Sequence, residues 1–188
     1  MYPINLNNFP DGFNLIDDEV EFNPKKHLQL EKPREIYTLK DLGYDKEVID
    51  SSPSNFAATS VFRILSNEGC EVLLDVTKKL EKFTTSSPRI PRNVRGGVYR
   101  SKFLRDLCIC DEISIFLSNI AGINLSPHTI PHQLGHLNYN PLEIGANVDK
   151  WHVDTLMFDY VMFVTDPKRI KGGQFQYFFG TQDEIAEI

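Results

Sequence analysis

Two apolar periodicities divide the chain. In "SPSNFAATSVFRILSNEGCEVLLDVTKKLEKF" the hydrophobic positions form two sets, Phe62 with Leu65, then Val72, Leu73, Val76 and Leu80. Three- and four-residue intervals of this kind mark one face of a helix. Ser66-Asn67-Glu68-Gly69 interrupts the pattern as a turn or cap, which predicts a short helix followed by a longer one over about 69–83. "SKFLRDLCICDEISIFLSNIAG" predicts a second helical region over about 101–121, stopped by Gly122. Between them "TTSSPRIPRNVRGG" is a loop punctuated by proline and glycine. Residues 1–55 are polar and weakly periodic, and read as an N-terminal surface arm with short strands or turns.

Beyond Gly122 the period changes. Pro127 and Pro131 exclude a continuous helix, and runs at about 132–139, 151–154, 157–165 and 174–179 predict strands. In 157–165 one alternating set is Phe158, Tyr160, Met162 and Val164, the other Met157, Val161 and Phe163. Both are apolar, which predicts a strand covered on both faces. Helices followed by strands make an α+β domain over 56–188.

Composition narrows the partners. With 188 residues, 41% hydrophobic and 24% charged, the chain suits one globular domain. A net charge of −6 argues against nucleic acid or an anionic membrane as partner. The densest basic stretch, "PRIPRNVRGGVYRSK", suits a small anion instead. Cys70, Cys108 and Cys110 make no disulfide framework, which points to a reducing compartment, and Cys108 and Cys110 read as core thiols in the helical pattern. No secretion signal opens the sequence, and no apolar run approaches the ~20 residues that span a bilayer. The expected location is the cytoplasm.

Candidate chemistry centres on "KWHVDTLMFDYVMFVTDPKRIKGGQFQYF". Side chains two apart on a strand share a face, roughly 6–7 Å apart at Cα, so His152 and Asp154 can converge on one divalent ion. Val153 would turn to the opposite face, Trp151 would pack, and Asp159 would lie across the strand from Asp154 as a structural carboxylate paired with a Lys or Arg of the helices. Taken alone, His-x-Asp is a weak signal. Gly172 and Gly173 follow about twenty residues later as a strand-linking turn, and "LSNEGCEVL", "FLRDL…FLSNIAGINLSPH" and "HLNYNP" precede the pair in order. In this order the sequence over about 56–188 resembles the iron(II)- and 2-oxoglutarate-dependent dioxygenases.

The resemblance implies a double-stranded β-helix, the jelly-roll or cupin-like barrel, supported by N-terminal helices and incomplete within this sequence. It implies Fe(II) held by His152 and Asp154, 2-oxoglutarate as cosubstrate, O2 as oxidant and hydroxylation of a small-molecule substrate. Two histidines and a carboxylate on one face of octahedral iron leave positions open for cosubstrate and dioxygen. The pattern calls for a second histidine downstream, followed by an Arg or Lys for the far carboxylate of 2-oxoglutarate. No histidine follows His152. The expectation is an N-terminal piece of a longer protein whose remaining ligand lies past Ile188; the alternative recruits an upstream histidine, with His136 the fallback among His128, His132 and His136. Asn138 and Tyr139, before the metal strand, and Arg95, Tyr99 and Arg100, in the loop "RGGVYRSK", are candidates for cosubstrate or substrate contact, arginine being suited to bidentate carboxylate recognition. The rival readings are a cupin-like metal protein that does not use 2-oxoglutarate, and a noncatalytic binding module on the same fold.

Overall fold

The structure, a computed structural model, describes residues 12–143, 145–166, 168, 175–178, 183–184 and 187. Its first element shows how little sequence a helix needs when both ends are tied. In α1 (Pro24–His27) Asn23 caps the start by accepting from the Lys25 amide, and Pro24 supplies the preset φ of a first helical residue. β1 (Ile36–Thr38) pairs antiparallel with β2 (Phe56–Thr59), with an irregularity between Tyr37 and Thr38, and α2 (Lys46–Ser51) fills the connection behind an Asp45 cap.

The longest helix, α3 (Asn67–Leu80), starts where Ser66 Oγ accepts from the Gly69 amide. It buries Leu73, Val76, Thr77 and Leu80, at offsets of three and four residues, and tightens into a 3-10 turn over Glu81–Phe83. A two-residue strand, β3 (Asn93–Val94), precedes a 3-10 turn over Gly97–Tyr99. α4 (Lys102–Cys108) is capped by Ser101, whose hydroxyl also donates to Glu19, while the second Glu19 oxygen accepts from the Lys102 amide at 2.7 Å. α5 (Asp111–Ala121) ends at Gly122, whose φ of 68° is the left-handed cap that glycine adopts without strain.

The core lies where α3, α4 and the Gly97–Tyr99 turn meet. Leu80, Val98 and Phe103 are fully buried there with Val76, Leu104 and Leu107. Each large side chain removed from water contributes roughly 1.5–3 kcal/mol before entropy is counted. Segment 12–30, expected as part of a surface arm, contributes Ile16 to this core and places Phe22 against Phe103 at 5.3 Å between ring centroids. Its backbone is held as well, the Ile16 amide donating to the Arg100 carbonyl at 2.8 Å.

Three expectations change. The helical region over 101–121 is two helices, broken at Ile109 and Cys110; Asp111 and Glu112 favour a helix N-terminus at that point. The strand expected over 132–139 shrinks to β4 (Leu137–Asn138), because Pro131 opens a 3-10 turn over Pro131–Gln133 and Gly135 follows with a φ of 59°. Residues 151–154 and 157–164 carry the period-two pattern without joining a ladder, and 175–178 are likewise outside any ladder. In 157–164, Met162 and Val164 pack on the core and Phe158 meets Phe56, whereas Met157, Val161 and Phe163 are exposed. This segment is therefore covered on one face, not both. The described residues thus combine helices with two two-stranded sheets, and no closed barrel occurs among them. No helix among them is long and apolar enough to cross a membrane.

Candidate functional site

Most of the residues singled out by sequence gather around the β3–β4 ladder. Asn93 pairs with Asn138 and Val94 with Leu137, which brings the loop 92–100 beside the segment 132–139. Gly96 permits the approach. It has a φ of 67°, and a Cβ there would stand 2.8 Å from His132 Nδ1 and 3.0 Å from a Phe13 ring carbon. Its amide reaches the His132 carbonyl at 3.3 Å.

Within this platform the candidates divide by what already occupies them. Tyr139 donates its hydroxyl to the Thr77 carbonyl at 2.7 Å and lies under Arg92, which bonds Glu81 and the Asn140 carbonyl. Burial, then Glu81, pushes its phenol well above the usual range. Its hydroxyl is committed to holding the ladder against α3. Asn138 accepts from Arg95 Nη1 at 3.3 Å. Burial and the neighbouring Arg89 lower the proton affinity of Arg95, with Asp149 acting the other way. Tyr99 sets its ring edge against Phe13 and lies beside the His132 imidazole. The Arg100 guanidinium carbon stands 3.7 Å from the Phe83 ring centroid and 4.6 Å from that of Phe13.

The histidine and aspartate of the His-x-Asp motif do face each other. His152 Nε2 is 3.1 Å from Asp154 Oδ1, with the side chains 30% and 60% exposed, so an ion from solvent has access. The other ring nitrogen, Nδ1, is 2.7 Å from the Lys150 carbonyl, which can only accept. Nδ1 is placed to donate to it, which leaves Nε2 facing the carboxylate oxygen. Two acceptors at 3.1 Å need something positive to share: a second ring proton, a proton on the carboxylate, or a metal cation. A metal-ligating histidine fixed through its other nitrogen by a backbone carbonyl has this arrangement. The separation also suits adjacent ligands on one ion, since two bonds of ~2.1 Å at a right angle put their donors ~3 Å apart.

The surroundings add groups that sequence reasoning placed elsewhere or passed over. Asp149 Oδ1 lies 3.9 Å from His152 Nδ1 and 3.2 Å from Arg89 Nε. Asp159, expected across the strand with a basic partner, instead feels the charge of Asp154: burial first and Asp154 second raise its carboxyl above the usual range, while His128 and His152 oppose. The strand argument failed there because the segment makes no ladder to impose strict alternation. Asp149 sits three residues before His152, a spacing visible in sequence; Arg89 and His128 come from the basic stretch and the upstream histidines singled out above for other roles.

His136 belongs to a second group. Loss of hydration and then Arg95 push its imidazole down to about 4, although the residue keeps an exposed edge, with a backbone hydrogen bond to His132 opposing and His132 and His128 adding to the fall. Among the described residues no three His, Cys, Asp or Glu side chains are placed to hold one metal ion, so His136 is not brought together with His152 and Asp154 as a third ligand. Gly172 and Gly173 lie outside the described residues. Trp151, expected to pack, is 44% exposed. Burial pushes the Cys108 thiol up to about 12, and burial followed by Glu112 brings Cys110 to about 11, so both stay protonated and neither offers a thiolate to a metal.

No family model, no curated protein and no solved structure matches this chain.

Proposed function

We infer that the chain belongs to a cytoplasmic non-haem iron(II) oxygenase that uses 2-oxoglutarate and O2 to hydroxylate a small-molecule substrate, on a double-stranded β-helix of which these residues are part. One observation carries the reading. Nε2 of His152 stands 3.1 Å from a carboxylate oxygen of Asp154 while Nδ1 lies against the Lys150 carbonyl. The order of motifs around the pair supports iron over other ions, and nitrogen plus carboxylate donors with open positions suit Fe(II).

In this reading His152 and Asp154 hold two neighbouring positions on the metal. The Lys150 carbonyl orients the imidazole through Nδ1, and Asp149 lies 3.9 Å from the same nitrogen. Iron bound there would supply the oxidising chemistry, with 2-oxoglutarate as the co-reductant that becomes succinate and CO2. Among the described residues no third ligand is brought to His152 and Asp154.

The test is anaerobic titration with Fe(II) and 2-oxoglutarate, followed by the visible charge-transfer absorption of the chelated metal, with Co(II) calorimetry as a readout independent of turnover. Expected is a single metal site, weakened at least about tenfold by His152→Ala and by Asp154→Ala. Metal affinity unchanged in both variants overturns the ligand assignment. Metal bound at this pair without any response to 2-oxoglutarate overturns the cosubstrate and leaves the cupin-like reading.

A further inference from the structure

Behind the β3–β4 ladder, on the side of Arg100, lies a half-open cleft of about 290 Å³. Phe13, Phe83 and Val94 form its apolar walls, and Arg95, Arg100 and His132 give it its polar groups. Arg95 and Arg100 are both half-buried. No carboxylate is among the described residues that line it, in a chain where 26 Asp and Glu outnumber 20 Lys and Arg. Arg95 is held by Asn138, and Arg100 by the Gly12 carbonyl and two ring faces.

We propose that this cleft is a binding site for a small aryl carboxylate, a flat apolar body carrying one anionic head. The charge follows from two guanidinium groups sharing one concavity with no acid among the described residues lining it. Burial alone accounts for the lowered proton affinity of Arg100, so its charge stands partly stripped of water, and an anion restores what the desolvation removed. The planar fork of arginine matches a carboxylate bidentately. The fixed position of Arg100 reduces the ordering that binding would otherwise cost, because Phe83 at 3.7 Å and Phe13 at 4.6 Å hold the guanidinium between their rings. The apolar body follows from the walls, since a fully hydrated anion such as phosphate leaves Val94 and the phenylalanine edges without a partner. The volume lies at the lower limit for ligand pockets, which confines the occupant to about one ring and its carboxylate. His132, beside Tyr99, offers a ring edge to the same body.

The cleft stands on residues other than the metal pair, and the proposal does not rest on the iron reading. Calorimetry in EDTA separates the two. Benzoate is the probe, with benzyl alcohol, inorganic phosphate and 2-oxoglutarate as comparisons. Expected is saturable benzoate binding at one site, no measurable binding of benzyl alcohol, and phosphate and 2-oxoglutarate weaker by about tenfold or more. Arg100→Gln and Arg95→Gln should each weaken benzoate about tenfold or more, Arg100→Lys should recover only part of that loss, and Asp154→Asn should leave it unchanged. If Arg100→Gln fails to fold, as judged by circular dichroism, Arg95→Gln and the cleft-filling Val94→Phe decide. Absence of saturable benzoate binding, benzoate affinity indifferent to Arg95, or phosphate or 2-oxoglutarate binding as tightly as benzoate each overturns the proposal.

Discussion

Replacing Gly69 by alanine sets two physical arguments against each other and makes them predict opposite signs. Gly69 is the third residue of α3, within a helix that alanine favours over glycine by about 1 kcal/mol. On helix propensity alone the substitution stabilises. The structure says otherwise. A Cβ at this position would stand 2.2 Å from the His27 carbonyl oxygen, 3.0 Å from its carbon and 3.1 Å from the His27 Cα. The obstacle is backbone, and it is tied in place: the same oxygen accepts from the Ser66 amide at 2.9 Å, and Ser66 Oγ donates to the Lys26 carbonyl at 2.6 Å. The His27 imidazole is itself immobilised, fully buried between Phe22 and Phe103 with Nδ1 accepting from the Asn23 amide at 2.9 Å.

Relief therefore requires α1 to move away from α3. Overpacking of this kind costs about 1–3 kcal/mol, and losing the Ser66 bonds adds about 1 kcal/mol each. After the gain in propensity, the net destabilisation is about 2–4 kcal/mol. With a urea slope of about 2 kcal/mol/M the unfolding midpoint falls by about 1–2 M. Equilibrium urea unfolding followed by far-UV circular dichroism measures it, with Glu71→Ala, an exposed position on the same helix, as a control expected within about 0.5 kcal/mol of the parent. A Gly69→Ala protein as stable as the parent, or more so, refutes the α1–α3 contact.

Two further outcomes follow from the site and its flank. Because the folded His136 titrates near 4, below its ordinary value of 6.5, the unfolded chain binds the extra proton first as pH falls; the stability this group contributes is complete above about pH 6.5 and is lost toward pH 4, worth about 1–2 kcal/mol once its exposed edge is discounted. The difference in unfolding free energy between parent and His136→Asn, measured across that window, should show the ramp, and a flat difference refutes the lowered titration beside Arg95. Met157, Val161 and Phe163 expose an apolar face at 74%, 60% and 42%, so Val161→Lys with Phe163→Lys should reduce hydrophobic-dye fluorescence and self-association in sedimentation velocity while changing monomer stability by about 0.5 kcal/mol or less; unchanged dye binding refutes the exposure.

What could be read from sequence was what a single short segment decides. The period through Leu73, Val76 and Leu80, the Ser66 cap and the Gly122 stop are local, and they appear where the spacing puts them. Gly69 shows the limit: as part of Ser66-Asn67-Glu68-Gly69 it read as turn chemistry, yet what its missing side chain makes room for is the backbone of His27, more than forty positions away. The break at Ile109 and Cys110 was hidden because apolar residues continue across it, and the described segments after Gly122 join a ladder only at β4 because alternation describes side chains while a strand also needs a ladder partner. The same division holds at the site. His152 and Asp154 were visible because they are two residues apart, whereas Phe13, Phe83 and Arg100 come from three distant segments with no common pattern.

The two parts of the site meet at Arg95, and that junction governs how the functional readings can fail. Arg95 lines the cationic cleft, donates to Asn138 on β4, and feels Asp149, which in turn stands behind the His152 ring. Asp149 thus links Arg95, in the anion-seeking cleft, to the imidazole of the cation-seeking pair. An anion seated against Arg95 would act on Asp149 and through it on metal binding at His152 and Asp154, and a metal there would act back along the same path. Any such coupling is reciprocal in free energy, and Arg95 is the group through which both charges act. Arg100 and Asp154 each serve one part alone: Arg100 touches Phe13, Phe83 and Gly12, and Asp154 faces His152. Loss of metal binding with an intact cleft, or the reverse, therefore follows from substitutions at these outer positions. Arg95 is the cleft residue whose change also reaches Asp149, beside the His152 ring.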